Sequence, residues 1–100
     1  MLDTSEQILL FKIRKFRDQV AFTRLFETHK KELYRFVRSK VPTAEDADDL
    51  IQTVFMRAWV YITTAHQKET HHFRGLIYHM SRNAIADHYR QRKETFSVEA

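Results

Sequence analysis

Apolar residues recur at helical spacing along most of the chain, and this pattern predicts four helices. We expect the first helix at about residues 5–16. Asp18 is the predicted N-cap of the second helix, which reaches about Lys40. The boundary before Asp18 is weak, so the two helices could be nearly continuous. Pro42 ends the second helix, because the residue before a proline avoids helical angles.

The second half of the chain carries two more predicted helices. Thr43 is the expected N-cap of the third, which ends near Thr64 after a β-branched run. A polar loop then extends to His72. The fourth helix covers about residues 73–93, and residues 94–100 show no partner pattern and are expected to be disordered. The fold class is therefore all-α, with three or four helices in one compact domain.

The apolar stripes of these helices predict the core. His29 lies on such a stripe, so it is interpreted as a core histidine. Apolar residues crowd the first helix, at Ile8, Leu9, Phe11, Ile13 and Phe16, and single out no face. The predicted inner faces of the other three, in chain order, are Phe22, Leu25, Phe26, His29, Leu33, Phe36, Val37; Ala47, Leu50, Ile51, Val54, Phe55, Ala58, Trp59, Ile62; and Ile77, Met80, Ala84, His88, flanked by Leu76 and Ile85.

Composition supports one helical domain and argues against several kinds of chemistry. The 100 residues include one glycine, one proline and no cysteine, which favours long helices and excludes disulfides and thiol catalysis. Neither a glycine-rich phosphate loop nor a nucleophile elbow occurs, so we expect no enzyme activity and no cofactor. The N-terminal apolar run is too short for a signal or membrane segment, and the chain is expected to be cytoplasmic.

The histidines do not predict a metal site. His66, His71 and His72 lack the i, i+4 geometry of a helical site, and no carboxylate lies at ligand spacing. Asp87 and His88 are neighbours on a helix and point in different directions, so they do not form a catalytic dyad.

Charge is segregated along the chain, whose net charge is +4. Residues 12–40 and 74–93 are mostly basic, whereas residues 45–49 are acidic. This separation indicates two different partners, one of them a polyanion. The alternative is that these charges form ordinary solvated helix faces.

The third helix has an outer face of acids, an amide and an exposed methionine. This mixture suits docking against a basic or mixed helical surface. On physical grounds alone, a solvated face is the better interpretation. The face comprises Asp48, Asp49, Gln52, Thr53, Met56 and Arg57.

The fourth helix interleaves aromatic rings with guanidinium groups, at Tyr78, Arg82, Tyr89 and Arg90. Aromatic rings can stack on unpaired bases, each worth about 1–3 kcal/mol, and arginines hold phosphates. Asn83 can read a base edge. The alternative is that both tyrosines are core aromatics with solvated hydroxyls.

Two blocks of sequence, residues 45–59 and 73–93, resemble region 2 of extracytoplasmic-function (ECF) sigma factors of the sigma-70 family. The first contains Asp48-Asp49-Leu50-Ile51-Gln52, and the second contains Phe73-Arg74 and Arg82-Asn83. Residues 21–37 resemble the same family. The resemblance implies a region 2 domain over residues 1–93 and the start of a linker at 94–100.

That resemblance also implies partners and roles. The third helix would dock on the clamp helices of the largest subunit of core RNA polymerase, mainly through Asp49, Gln52, Met56 and Arg57. The fourth helix and the loop at residues 64–73 would bind the non-template strand of the promoter −10 element and hold a flipped base. The implied DNA-binding residues are Arg74, Tyr78, His79, Arg82, Asn83, Tyr89, Arg90, Arg92 and Lys93, with Arg74, Tyr78, Arg82 and Asn83 at the flipped base.

Three positions depart from the family pattern. Thr53 replaces a usual glutamate, Leu76 a common tryptophan and His79 a frequent arginine. The family also has a second domain for the −35 element, and the chain stops before it, so we expect a piece of a longer protein. An anti-sigma factor is a further implied partner. The alternative function is a helical interaction module, bound by an anti-sigma factor or self-associating as a homodimer, without DNA reading.

Overall fold

Four α-helices form the protein, as seen in a computed structural model that describes the backbone of residues 4–64 and 72–99 and the side chains of 5–64 and 72–93. No strand occurs within those ranges, so the all-α prediction is confirmed. None of the described helices is long and apolar enough to cross a membrane. The helices are α1 (Thr4–Phe16), α2 (Gln19–Arg38), α3 (Ala44–Thr63) and α4 (Phe73–Glu99).

Both predicted N-caps are present. The Asp18 carboxylate accepts a hydrogen bond from the backbone N–H of Ala21 at 3.0 Å, and Thr43 Oγ1 accepts one from the N–H of Asp46 at 3.0 Å. Each cap satisfies a backbone donor that the first turn of a helix leaves without an internal partner. The starts of α2 and α3 therefore follow directly from local sequence.

A left-handed residue separates α1 from α2. Arg17 has φ 53°, and its N–H donates to the carbonyl of Ile13 at 2.9 Å. This geometry terminates a helix, because the left-handed residue turns the chain away from the helix axis. The two helices are therefore distinct, and the alternative of a nearly continuous helix is wrong.

The end of α4 differs from the prediction. The helix continues to Glu99 instead of ending near Lys93. The helix continues because no proline or glycine follows Lys93 to end it. That residues 94–100 begin a linker and are disordered stays a prediction.

Helices α2 and α3 each pack against the other three helices. The rings that we call the aromatic end meet where α3 finishes and where α2 and α4 begin. Ring centroids lie 4.9 Å apart for Phe22 and Phe55 and 6.1 Å apart for Phe22 and Phe73. Most of these pairs meet edge to face, the arrangement that aromatic quadrupoles favour. The aromatic end comprises Phe22, Phe26, Phe55, Trp59 and Phe73.

The stripes of α2 and α3 are largely confirmed as core, although His29, Phe36, Phe55 and Trp59 are only half-buried. His29 lies against the Phe73 ring, with its Nε2 3.3 Å from Glu6 Oε1. The histidine therefore lies at the edge of the core, where its polar atoms have a partner.

Only one side of α1 is buried. Leu10 and Ile13 are fully buried, whereas Ile8, Phe11 and Phe16 are more than half exposed. Apolar residues surround this helix, so their spacing did not single out one face. The packing against α2 and α3 buries the face that carries Leu10 and Ile13.

The inner face of α4 contains Phe73, Ile77, Ser81 and Ala84, all buried. Phe73 and Ser81 were not predicted there, and the predicted Met80 and His88 are only half-buried. The serine tolerates complete burial because its Oγ donates to the carbonyl of Ile77 at 2.8 Å. A local hydrogen bond thus places a polar residue in the core.

Candidate protein-binding and nucleic-acid-binding surfaces

The outer face of α3 presents the predicted docking residues in the expected way. Five of the six are exposed, and Thr53 is half-buried with its hydroxyl donating to the carbonyl of Asp49 at 3.0 Å. Residues at i, i+3, i+7 and i+11 lie along one side of a helix. We call the line formed by Asp49, Gln52, Met56 and Val60 the α3 ridge.

An apolar groove of about 370 Å³ borders the α3 ridge. Met56 and Val60 are 59% and 60% exposed and form part of its wall. Exposed apolar side chains beside a groove are typical of protein-binding surfaces. The lining residues are Gln19, Phe22, Thr23, Phe55, Met56, Trp59 and Val60.

Arg57, a predicted docking residue, faces α4. Its Nη1 lies 3.5 Å from Asp87 Oδ2, and Arg90 Nη2 donates to the other oxygen of the same carboxylate at 2.8 Å. Asp87 is therefore shared between a residue predicted to bind protein and one predicted to bind DNA.

Ion pairs continue along the contact between the start of α3 and the end of the described part of α4. Asp46 Oδ2 lies 3.8 Å from both His88 Nε2 and Arg92 Nη1, which is ion-pair range but too long for a hydrogen bond. Asp87 and His88 thus have different partners, consistent with the prediction that they form no dyad. We call this set the charged end: Asp46, Arg57, Asp87, His88, Arg90 and Arg92.

A third cluster joins α2 to the first turns of α4. Glu32 Oε1 accepts hydrogen bonds from Arg74 Nη2 and from the hydroxyl of Tyr78, the latter at 3.0 Å. The Arg74 guanidinium carbon lies 4.7 Å from the centroid of the Tyr78 ring, which is cation–π distance. The Tyr78 ring also packs against Phe36, with centroids 5.2 Å apart.

Hydrogen bonds shift the titration of this cluster. The bond from Arg74, and then that from Tyr78, lowers the pKa of Glu32 below its ordinary value. The hydrogen bond between Arg74 and Glu32 also raises the pKa of Arg74. Burial is the main cause of the raised pKa of Tyr78, followed by the hydrogen bond from Tyr78 to Glu32. Glu32 is therefore ionised and Tyr78 keeps its proton at neutral pH.

The outer face of α4 carries the remaining predicted DNA-binding residues. His79 and Asn83 are exposed one turn apart, with Asn83 Nδ2 3.3 Å from His79 Nε2. Tyr89 is 46% exposed, and its hydroxyl donates to the carbonyl of Lys40 at the end of α2. We call the exposed line of His79, Arg82, Asn83, Tyr89, Arg90 and Lys93 the α4 strip.

Not every predicted site residue can be placed. Most of the proposed strand-binding loop, residues 65–71, lies outside the described residues, as do His66 and His71. Within the described part of the chain, no group of three or more possible metal ligands occurs.

Sequence reasoning missed Glu32 as a site residue. It lies 42 positions from Arg74 and 46 from Tyr78, so no local pattern connects them. The one signal for Glu32 in the sequence was that it is an acid within a mostly basic stretch.

Comparison with known proteins identifies the family of this chain. Residues 25–95 match the sigma-70 region 2 family. The ECF RNA polymerase sigma factor SigM of Bacillus subtilis (strain 168) is 27% identical over 74 residues, which cover 74% of this chain and 44% of SigM. The chain thus spans less than half the length of that curated relative, and no solved structure matches it significantly. Since the family match covers most of the 100 residues, this protein belongs to the sigma-70 region 2 family, as the resemblance to ECF sigma factors predicted.

Proposed function

We propose that this chain is the part of an RNA polymerase sigma factor that docks on core polymerase and captures promoter DNA. The α3 ridge contacts the clamp helices of the largest subunit, and the α4 strip binds the non-template strand of the −10 element. One observation carries the proposal. Two exposed surfaces of different chemistry, one with acid, amide and apolar groups and one with cations and aromatics, lie on helices that pack against each other.

Docking on the α3 ridge has an apolar and a polar component. Met56 supplies a large exposed side chain beside the groove, and a few such anchors dominate the affinity of most interfaces. Gln52 adds an amide one helical turn before Met56, and Asp49 adds an acceptor charge about two turns before it. A clamp surface with basic and polar groups would match that combination.

Strand capture on the α4 strip shifts promoter DNA towards its melted state. Exposed arginines hold phosphates and Asn83 can read a base edge, while aromatic faces can stack on bases only after these leave the duplex. A surface that binds the unpaired state more tightly than the paired state favours opening by that difference in affinity. The polymerase performs the chemistry, and the proposed location is the cytoplasm.

The decisive experiment is capture of an immobilised clamp-helix fragment. We expect the wild-type chain to be retained and the double variant Gln52→Ala/Met56→Ala to bind at least about tenfold more weakly, because both anchors are lost. The matched control is Ile8→Ala, which truncates an exposed apolar residue on α1 that does not line the groove. Absence of wild-type capture, or equal loss in the control, would refute docking by the α3 ridge.

A second candidate is a protein-interaction module that binds an anti-sigma factor or a second copy of itself. The exposed apolar residues of α1 and of the start of α2 favour it, because monomers rarely expose large apolar patches. These residues are Ile8, Phe11, Phe16 and Val20. A stable dimer in sedimentation, combined with no binding to the clamp fragment or to DNA, would favour this candidate.

A further inference from the structure

An acidic side chain is hydrogen-bonded to two residues of the candidate DNA-binding surface. Glu32 belongs to α2, yet its Oε1 accepts hydrogen bonds from Arg74 and Tyr78 of α4. The side chains of Arg74 and Glu32 are 59% and 53% exposed, so solutes can reach the pair. The donors that a nucleic-acid strand would use are therefore already engaged by an internal anion.

A carboxylate and a phosphate bind to an arginine in the same way. Both are anions whose oxygens accept charge-assisted hydrogen bonds from the guanidinium fork. An exposed ion pair contributes little to stability, so an incoming phosphate can replace the carboxylate. While Glu32 stays in place, however, it cancels the charge of Arg74 and repels the strand.

We propose that Glu32 is a further determinant of affinity at the nucleic-acid site: it stands in for a strand phosphate on Arg74 and Tyr78, and a bound strand displaces it. This inference rests on the proposed strand-binding function. Displacement frees one guanidinium and one hydroxyl donor for the strand. Glu32 thereby limits how tightly the free domain binds DNA.

The arrangement of Arg74 indicates that removing Glu32 would strengthen binding. The guanidinium also stacks on the Tyr78 ring at 4.7 Å, a contact that does not involve the carboxylate. The Tyr78 ring in turn packs on Phe36, which fixes its position. Without Glu32, Arg74 therefore keeps an oriented position and gains the freedom to bind a phosphate.

The test is titration of the whole chain into a short fluorescent single-stranded DNA of mixed sequence, with anisotropy as the readout. We expect Glu32→Gln to bind about threefold more tightly than wild type, the size of an exposed charge pair. Its dependence on salt should also steepen by the equivalent of about one phosphate contact. The matched control is Glu27→Gln on the same helix, which removes the same charge from a pair with Lys30 and should leave affinity within about twofold.

A double-variant cycle with Arg74→Ala separates displacement from general repulsion. If Glu32 acts through Arg74, adding Glu32→Gln to the Arg74→Ala variant should increase DNA affinity almost not at all. An equal gain with and without Arg74, or weaker binding by Glu32→Gln alone, overturns the inference. If wild type binds with the expected salt dependence and the two glutamate variants behave alike, only the inference fails. If no form of the chain binds, the strand-binding function fails with it.

Discussion

The aromatic end and the charged end of the α2–α3–α4 packing are held by opposite kinds of contact. At the aromatic end, Phe22 and Phe73 are almost completely buried and meet other rings edge to face. At the charged end, the carboxylates of Asp46 and Asp87 lie near arginine and histidine side chains, all 20–67% exposed, across the α3–α4 contact or, for Arg90, one turn along α4. Burial of rings contributes most to stability, whereas exposed ion pairs contribute little and can exchange partners. The difference indicates that one end holds the fold while the other can take part in binding.

The largest expected effect comes from breaking the aromatic end. Phe22 is 1% exposed and touches the rings of Phe26, Phe55, Trp59 and Phe73. Phe22→Ala should lower the free energy of unfolding by about 3–5 kcal/mol, because it leaves a cavity that rigid neighbours cannot fill. Denaturant unfolding followed by circular dichroism measures this loss.

The control for this variant is Phe16→Ala. Phe16 is 67% exposed, so truncating it should change stability by less than about 1 kcal/mol. If the two variants lost equal stability, burial at the aromatic end would not be the main support of the fold.

The α2 and α3 parts of the aromatic end could be predicted from sequence because their residues repeat at helical spacing, whereas Phe73 of α4 was not predicted as core. Phe22 and Phe26 are four residues apart on α2, and Phe55 and Trp59 are four residues apart on α3. Such spacing puts each pair on one helix face, and a helix must bury its apolar face. The same reasoning selects no face of α1, because its apolar residues surround the helix and burial then depends on the neighbours.

Contacts at the charged end and around Glu32 could not be predicted in this way. Polar residues at the helix surface can pair with any of several partners, and the pairing that forms depends on how whole helices pack. Asp46 lies within the acidic stretch noted in the sequence, in the first turn of α3, yet its proximity to His88 and Arg92 requires the antiparallel placement of α4. Sequence thus predicted which residues are exposed on α3 and α4 better than it predicted which of them are paired.

A second prediction concerns the α4 strip, which leads from the middle of α4 to the charged end. Asn83→Ala should change the base preference of single-stranded DNA binding by about 1–3 kcal/mol at one position, because an amide can read a base edge. Arg90→Ala should weaken binding to all sequences alike and make it less dependent on salt. Competition titrations against −10-like and scrambled oligonucleotides measure both effects.

The loss of DNA affinity in Arg90→Ala should be modest, because Asp87 already neutralises part of the Arg90 charge: Arg90 Nη2 lies 2.8 Å from Asp87 Oδ1. Lys12→Ala, an exposed cation on α1, serves as the control and should leave both properties unchanged. Equal loss across all sequences in both strip variants would contradict base reading by Asn83.

The smallest expected effect comes from breaking the charged end itself. Asp46→Asn keeps the size of the side chain and the backbone bond to Thr43, but removes the charge that faces His88 and Arg92. We expect a loss of less than about 1 kcal/mol in the free energy of unfolding, because contacts of 3.8 Å between partly exposed groups are screened by water. The loss should shrink as salt rises.

Asp48→Asn controls for general charge near the start of α3, since Asp48 is exposed two residues away. A salt-independent loss of the size expected for Phe22→Ala would mean that the charged end supports the fold as the aromatic end does, and its ion pairs would then not be free to open for a strand.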